Sequence, residues 1–231
     1  MVGPARPQFV LFGSSIVQFG FLQEGWAADL SHYYARKADV FMRGYSGWNS
    51  RQAREVVEQV FPKDDPVKPS LVIVYFGGND SVLCDPDVPN SHVPLHEYVQ
   101  NMKYIATHLQ SLSETTRLIF LTAPPVNEEQ MKEVLGIENR KNEQCGIYSD
   151  ACLSLCKEMN IKAIDLFNLI QQRPDWLTTS FLDGIHFTAA ASATVASAIR
   201  LAIFQADWTP SLRWDLLPTE FDVTVAASAV G

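Results

Sequence analysis

Short apolar runs alternate with longer amphipathic stretches along the whole chain, and this alternation limits the possible folds more than any other feature. The runs Phe9–Phe12, Val40–Met42, Leu71–Phe76, Leu118–Leu121 and Lys162–Asp165 are bounded by Gly, Pro, Asn or Asp. Continuous apolarity over so few residues predicts parallel strands covered on both faces. Between them, Trp26, Ala27, Leu30, Tyr33 and Tyr34 share one helical face, and Ala53, Val56, Val57, Val60 and Phe61 repeat at helical spacing. A third helix is expected from Leu95 to Leu112, and a fourth carries Tyr148, Ala151, Cys152, Leu155 and Met159. A fifth begins at Thr188 as N-cap and runs to Phe204. Strand and helix in strict alternation predict an α/β protein of three layers, a doubly wound parallel sheet between helices.

With 231 residues, 47% of them hydrophobic, the chain can bury a sizeable core, and we expect one domain over residues 1–208. Residues 209–231 read as a C-terminal tail packed on, or trailing from, that domain. A net charge of −8 argues against nucleic acid or an anionic membrane as partner. No apolar run approaches the ~20 residues that span a bilayer, and Met1–Pro7 holds no apolar signal region, so a cytoplasmic location is expected. Cys84, Cys145, Cys152 and Cys156 are too few for a disulfide framework, and no histidine pair accompanies them at zinc-ligand spacing. We therefore expect buried thiols, no metal and no cofactor. The oligomeric state is not legible.

Four turn sequences fall where ligands bind in open α/β sheets, at the carboxyl edge. Phe12-Gly13-Ser14-Ser15-Ile16 follows the first strand and Arg43-Gly44-Tyr45-Ser46-Gly47-Trp48-Asn49-Ser50 the second. Gly77-Gly78-Asn79-Asp80 follows the third, and Asp183-Gly184-Ile185-His186 precedes the last helix. Taken singly, each is also an ordinary turn: Asn79 tolerates a left-handed backbone, and His186 could cap a helix. Taken together they supply a hydroxyl, a close backbone N–H, an amide side chain and a carboxylate with an imidazole. Those are the parts of acyl transfer.

In these residues the chain resembles the SGNH, or GDSL-type, hydrolases, whose motif blocks supply Ser, Gly, Asn and His. The matches are Ser15, Gly47, Asn79 and His186, with Asp183 as the acid three residues before the histidine. The resemblance spans Phe9 to Phe204. Asn90-Ser91-His92-Val93-Pro94-Leu95-His96-Glu97-Tyr98 and Ala123-Pro124-Pro125-Val126-Asn127-Glu128 look like the isoamyl-acetate-hydrolysing esterase group and its plant relatives. The chain departs from the family in one place, where Gly-Asp-Ser becomes Gly13-Ser14-Ser15. Ser14 can bond the turn or cap the helix but carries no charge, and it stays a competitor to Ser15 as nucleophile.

The resemblance implies a flavodoxin-like α/β/α sandwich with strand order 2-1-3-4-5 and a serine esterase without metal or cofactor. In it Ser15, Asp183 and His186 would be catalytic, and the Ser15 and Gly47 N–H groups with the Asn79 amide would bind the oxyanion. By position, Ile16, Phe19, Tyr45, Trp48, Val82 and the loop to Pro94 would line the substrate pocket. The partner expected is a small ester with a short, acetyl-type acyl group. A deacetylase, thioesterase, lysophospholipase or acyltransferase would use the same parts, and a flavodoxin-like binding module would use none of them. His92 and His96 read as surface or hydrogen-bonding residues.

Overall fold

The computed structural model describes residues 3–22, 24–84 and 91–221, so part of the Val82–Pro94 loop (85–90) and the end of the tail (222–231) lie outside the described residues. Five parallel strands, β1 (Gln8–Gly13), β2 (Asp39–Gly44), β3 (Leu71–Tyr75), β4 (Arg117–Leu121) and β5 (Lys162–Ile164), form one sheet. Its order is β2-β1-β3-β4-β5, as the family resemblance implied. Successive residues of each central strand feed opposite layers. Phe9, Leu11, Ile73, Ile119 and Leu121 face one layer with α2 (Trp26–Tyr33) and α9 (Ala189–Phe204). Val10, Phe12, Val74 and Phe120 face the other, with α3 (Ser50–Val60), α4 (Leu95–Gln110) and α6 (Asn142–Glu158). Each such side chain, fully buried, contributes about 1.5–3 kcal/mol.

The helix ends follow local chemistry. Asn49 accepts from Arg51 and Gln52 N–H at 3.1 and 3.2 Å, and Gln52 accepts in turn from Asn49 N–H, a reciprocal box that starts α3. Thr188 caps α9 by accepting from Ala191 N–H, as its position predicted.

Some expectations need correction. β2 is not covered on both faces: it is the sheet's edge, and Phe41 and Met42 are each 38% exposed. Three helices were not foreseen, α5 (Glu128–Leu135), α7 (Leu166–Gln171) and α8 (Trp176–Thr179). α5 carries Met131, Val134 and Leu135 at helical spacing but is one short turn-pair that buries only Met131 and leaves the other two exposed, and α8 buries nothing. Among the described residues, no helix is long and apolar enough to cross a membrane.

Candidate active site

β1 ends at Gly13, where a Cβ would lie 2.6 Å from the Tyr75 carbonyl oxygen of β3, so only glycine fits. The Ser14 carbonyl then accepts from Val17 N–H at 3.1 Å and Gln18 N–H at 2.9 Å. This sharp entry makes Ser15 the first residue of the short helix α1 (Ser15–Gln18) at the carboxyl end of β1. Ser15 is 8% exposed. Ser14 is buried beside it, but its side chain does not cap the helix, contrary to the role its hydroxyl suggested.

Asp183 and His186 occupy a small hairpin closed by the bridge between Phe181 and Phe187 and by Leu182 N–H on the His186 carbonyl, 2.8 Å. Gly184 turns the chain with φ +89°, and a Cβ there would lie 2.6 Å from the Asn127 carbonyl oxygen. Asp183 Oδ1 accepts from the N–H groups of Ile185 and His186 at 3.0 and 2.8 Å. Its Oδ2 faces His186 Nδ1 at 2.6 Å, and His186 Nε2 faces Ser15 Oγ at 3.0 Å. Burial pushes the Asp183 carboxyl up, but those backbone N–H groups and the imidazole outweigh it and hold it below its ordinary value. An ionised Asp183 can only accept, so in the neutral ring Nδ1 carries the proton. Nε2 is then the acceptor for the Ser15 hydroxyl.

The next two motifs approach from β2 and β3. Tyr45 to Trp48 is a tight turn, with Trp48 N–H on the Tyr45 carbonyl at 3.1 Å and Gly47 at φ +82°, a position where a side chain would be strained. Gly44 lets this turn press on α1, because a Cβ there would lie 2.3 Å from the Gln18 backbone nitrogen. Asn79 Nδ2 donates to the Trp48 carbonyl at 2.7 Å, tying the β3 loop to the β2 loop. Its Oδ1 accepts from Arg140 Nη2 at 2.8 Å. Ser91 Oγ donates to the Asn79 carbonyl at 3.0 Å. Beneath the loop, the fully buried Asp80 accepts from Ser50 N–H at 2.9 Å and Gly77 N–H at 3.1 Å. Burial pushes its carboxyl up to about 6, against hydrogen bonds from the Ser50 hydroxyl and the surrounding N–H groups.

The structure thus brings Ser15, His186 and Asp183 into one hydrogen-bonded line, with the Gly47 turn and Asn79 joined to each other. A cavity of about 550 Å³ adjoins His186 and Asp183 and is lined by Ile16, Phe19, Leu22, Trp26, Leu182 and Phe187. The Phe19 ring meets the His186 ring edge-on at 5.0 Å. Tyr45, Trp48 and Val82 stand apart from this lining. Tyr45 and Trp48 stack on each other at 4.3 Å and pack against the α3 and α4 layer. Val82 is buried, and its carbonyl is 2.6 Å from His92 Nδ1. The cavity opens on the other flank because α1 and the turn Phe19–Phe21 wall it there. Among the described residues, no cluster of three or more His, Cys, Asp or Glu could hold a metal.

Sequence reasoning overlooked Arg140 and, though Ser91 and Asn127 fall in the runs that resemble the esterase group, it gave neither a role. Asn127 donates its N–H to the Gly184 carbonyl at 2.9 Å and caps α5. The Pro124-Pro125-Val126-Asn127 run signalled a special loop, but nothing local marked Arg140.

The GDSL-like lipase/acylhydrolase family model matches residues 11–193. The chain is 55% identical over 222 residues to the GDSL esterase/lipase WDL1 of Oryza sativa subsp. japonica, covering 94% of this chain and 85% of that one. It is 37% identical over 189 residues to the isoamyl acetate-hydrolyzing esterase 1 homolog of Homo sapiens, covering 79% and 75%. A similar solved structure is a mutant of Axe2, an acetyl-xylooligosaccharide esterase from Geobacillus. Its TM-score is 0.68 at 19% identity, over 85% of this chain and 93% of that one, a likeness of fold.

Proposed function

Because the chain belongs to the GDSL-like lipase/acylhydrolase family and is a carboxylic ester hydrolase, we propose that Ser15, His186 and Asp183 carry its reaction through an acyl-enzyme on Ser15. The reading rests on the unbroken line from Ser15 Oγ through His186 to Asp183, with contacts of 3.0 and 2.6 Å. Ser15 Oγ attacks the ester carbonyl and its proton passes to His186 Nε2. Asp183 holds the tautomer that makes Nε2 a base and stabilises the imidazolium that follows. The carbonyl oxygen, now an oxyanion, is met by the N–H groups of Ser15 and Gly47 and by the free proton of Asn79 Nδ2. His186 then protonates the departing alcohol. Water repeats the sequence on the acyl-enzyme and restores Ser15.

The alcohol must leave on the His186 side, since that ring delivers its proton. The apolar cavity adjoining His186 therefore takes the alcohol portion, and the acyl group, a short one, faces the Asn79 side. We read residues 1–208 as the hydrolase domain and the following segment as its tail, of which the described part, residues 209–221, packs on it. Tyr34 Oη on the Leu212 carbonyl and Lys37 Nζ on the Leu217 carbonyl support that packing. Four free cysteines, three of them buried, support a cytoplasmic setting.

Nitrophenyl esters of rising acyl length, and acetates of rising alcohol length, test the reading with Ser15→Ala as control. We expect activity to fall as the acyl chain lengthens, to tolerate larger apolar alcohols, and to vanish in Ser15→Ala. Full activity in that variant removes Ser15 as nucleophile, and a peak at long acyl chains reverses the pocket assignment.

A further inference from the structure

Arg140 stands in the loop between α5 and α6, far in sequence from every motif, yet its side chain reaches the motif that follows β3. Nη2 donates to Asn79 Oδ1 at 2.8 Å and Nη1 to the Gly78 carbonyl at 2.9 Å. The residue is 9% exposed, and among the described residues no carboxylate pairs with it and Nε has no hydrogen-bond partner. A buried guanidinium without a counter-charge is costly to keep, so a purely structural cross-link would be better made by a neutral side chain.

We propose that Arg140 is the positioning residue of the oxyanion site, setting the orientation and polarity of the Asn79 amide. The inference rests on the role given to Asn79 above. An amide has two ends of opposite polarity, and only the N–H end stabilises an oxyanion; a flipped Asn79 would repel it. A guanidinium offers only donors, so the atom it meets must be Oδ1. The Trp48 carbonyl offers only an acceptor, so the atom facing it must be Nδ2. Both contacts select one orientation and leave a single Nδ2 proton for the substrate.

The charge has a second effect. Held against Oδ1, it draws electron density through the amide and makes Nδ2–H a stronger donor. The second bond, to the Gly78 carbonyl, fixes the backbone that carries Asn79. Leu83 N–H on the Asn139 carbonyl, 2.7 Å, ties the Arg140 loop to the same β3 loop a second time. The missing counter-charge is then supplied when the oxyanion forms.

A double-mutant cycle tests this with nitrophenyl acetate as substrate. Arg140→Ala should lower kcat by roughly 10–100-fold, the scale of one charge-assisted hydrogen bond, with KM within about threefold of the parent. In an Asn79→Ala background the same substitution should cost less than about threefold, because its target is gone. Arg140→Lys keeps the charge but cannot reach both carbonyls in the same plane, so its kcat should fall between the two; it also serves for the cycle if the alanine variant does not fold. Losses that multiply in full, or a kcat for Arg140→Ala within twofold of the parent, overturn the proposal. If Asn79→Ala alone keeps its full rate, the oxyanion assignment itself fails, and this inference with it.

Discussion

Replacing Asp183 by Asn exchanges one oxygen for an NH₂ group, and the surroundings decide where that group goes. Oδ1 accepts from two backbone N–H groups, Ile185 at 3.0 Å and His186 at 2.8 Å, so an amide nitrogen in that place would meet two donors. The new amide must keep its oxygen there and turn its nitrogen toward the imidazole. His186 Nδ1 then has to accept, its proton moves to Nε2, and Nε2–H points at Ser15 Oγ across the present 3.0 Å. A protonated Nε2 cannot take the serine proton. The expected loss is about 10⁴ in kcat, the scale seen when a triad carboxylate becomes an amide, or roughly 5.5 kcal/mol of barrier. The assay is steady-state hydrolysis of nitrophenyl acetate with thermal melting alongside. KM should hold within a few fold, since no group facing the substrate has changed. Stability adds an internal check. Because the folded carboxyl sits below its ordinary 3.8, its contribution is present above that pH and is lost as pH falls through the folded value. The melting difference between wild type and Asp183→Asn should therefore shrink below about pH 4. A kcat loss smaller than tenfold would refute the tautomer argument.

Asp80 has the opposite sign. Its carboxyl is raised to about 6 from 3.8 by burial, so its favourable contribution is complete below the unfolded value and lost as pH rises through about 6. Relative to Asp80→Asn, wild type should lose about 2–3 kcal/mol between about pH 4 and pH 7 in urea unfolding; a flat difference contradicts the burial account. Gly44→Ala drives a Cβ to 2.3 Å from the Gln18 backbone and should cost about 1–3 kcal/mol while shifting the Gly47 turn; turnover equal to wild type would deny the turn its role. Gly47→Ala meets no atom within 4 Å and should cost about 1–2 kcal/mol in urea unfolding, from its positive φ alone. Ser14→Ala removes a side chain that does not cap α1, so its kcat should stay within about threefold of wild type; a loss like that of Ser15→Ala would show that the nucleophile was misassigned.

Much of the site was legible because it is built from turns that follow strands. In a parallel sheet every strand points the same way, so sequences that leave β1, β2 and β3 meet at one edge. Ser15, Gly47 and Asn79 could be placed together on that ground, and a glycine in each turn marked where the backbone had to pass closely. The Asp183-Gly184-Ile185-His186 spacing likewise reads as one local unit, with Oδ1 closing back on its own N–H groups. Edge exposure at Phe41 and Met42 was not legible, since an apolar run looks the same in a central strand and in an outer one.

Ile16 and Phe19 were expected at the pocket by position and do line the cavity, whereas the rest of its lining and the support of Asn79 emerge only from the folded chain. Tyr45 and Trp48 sit beside the right motif, yet they stack on each other and pack on the α3 and α4 layer, while the cavity opens beside Phe19 and Leu182. Arg140 reaches Asn79 across 61 residues, and His186 reaches Ser15 across 171. Layer order, strand ends and the chemical groups that reach the sheet's edge can be read along the chain, because periodicity and turn chemistry act over a few residues. Which flank is hollow, which way the Asn79 amide faces and what charge lies behind it depend on loops distant in sequence packing side by side. Those contacts leave no periodic trace in the chain.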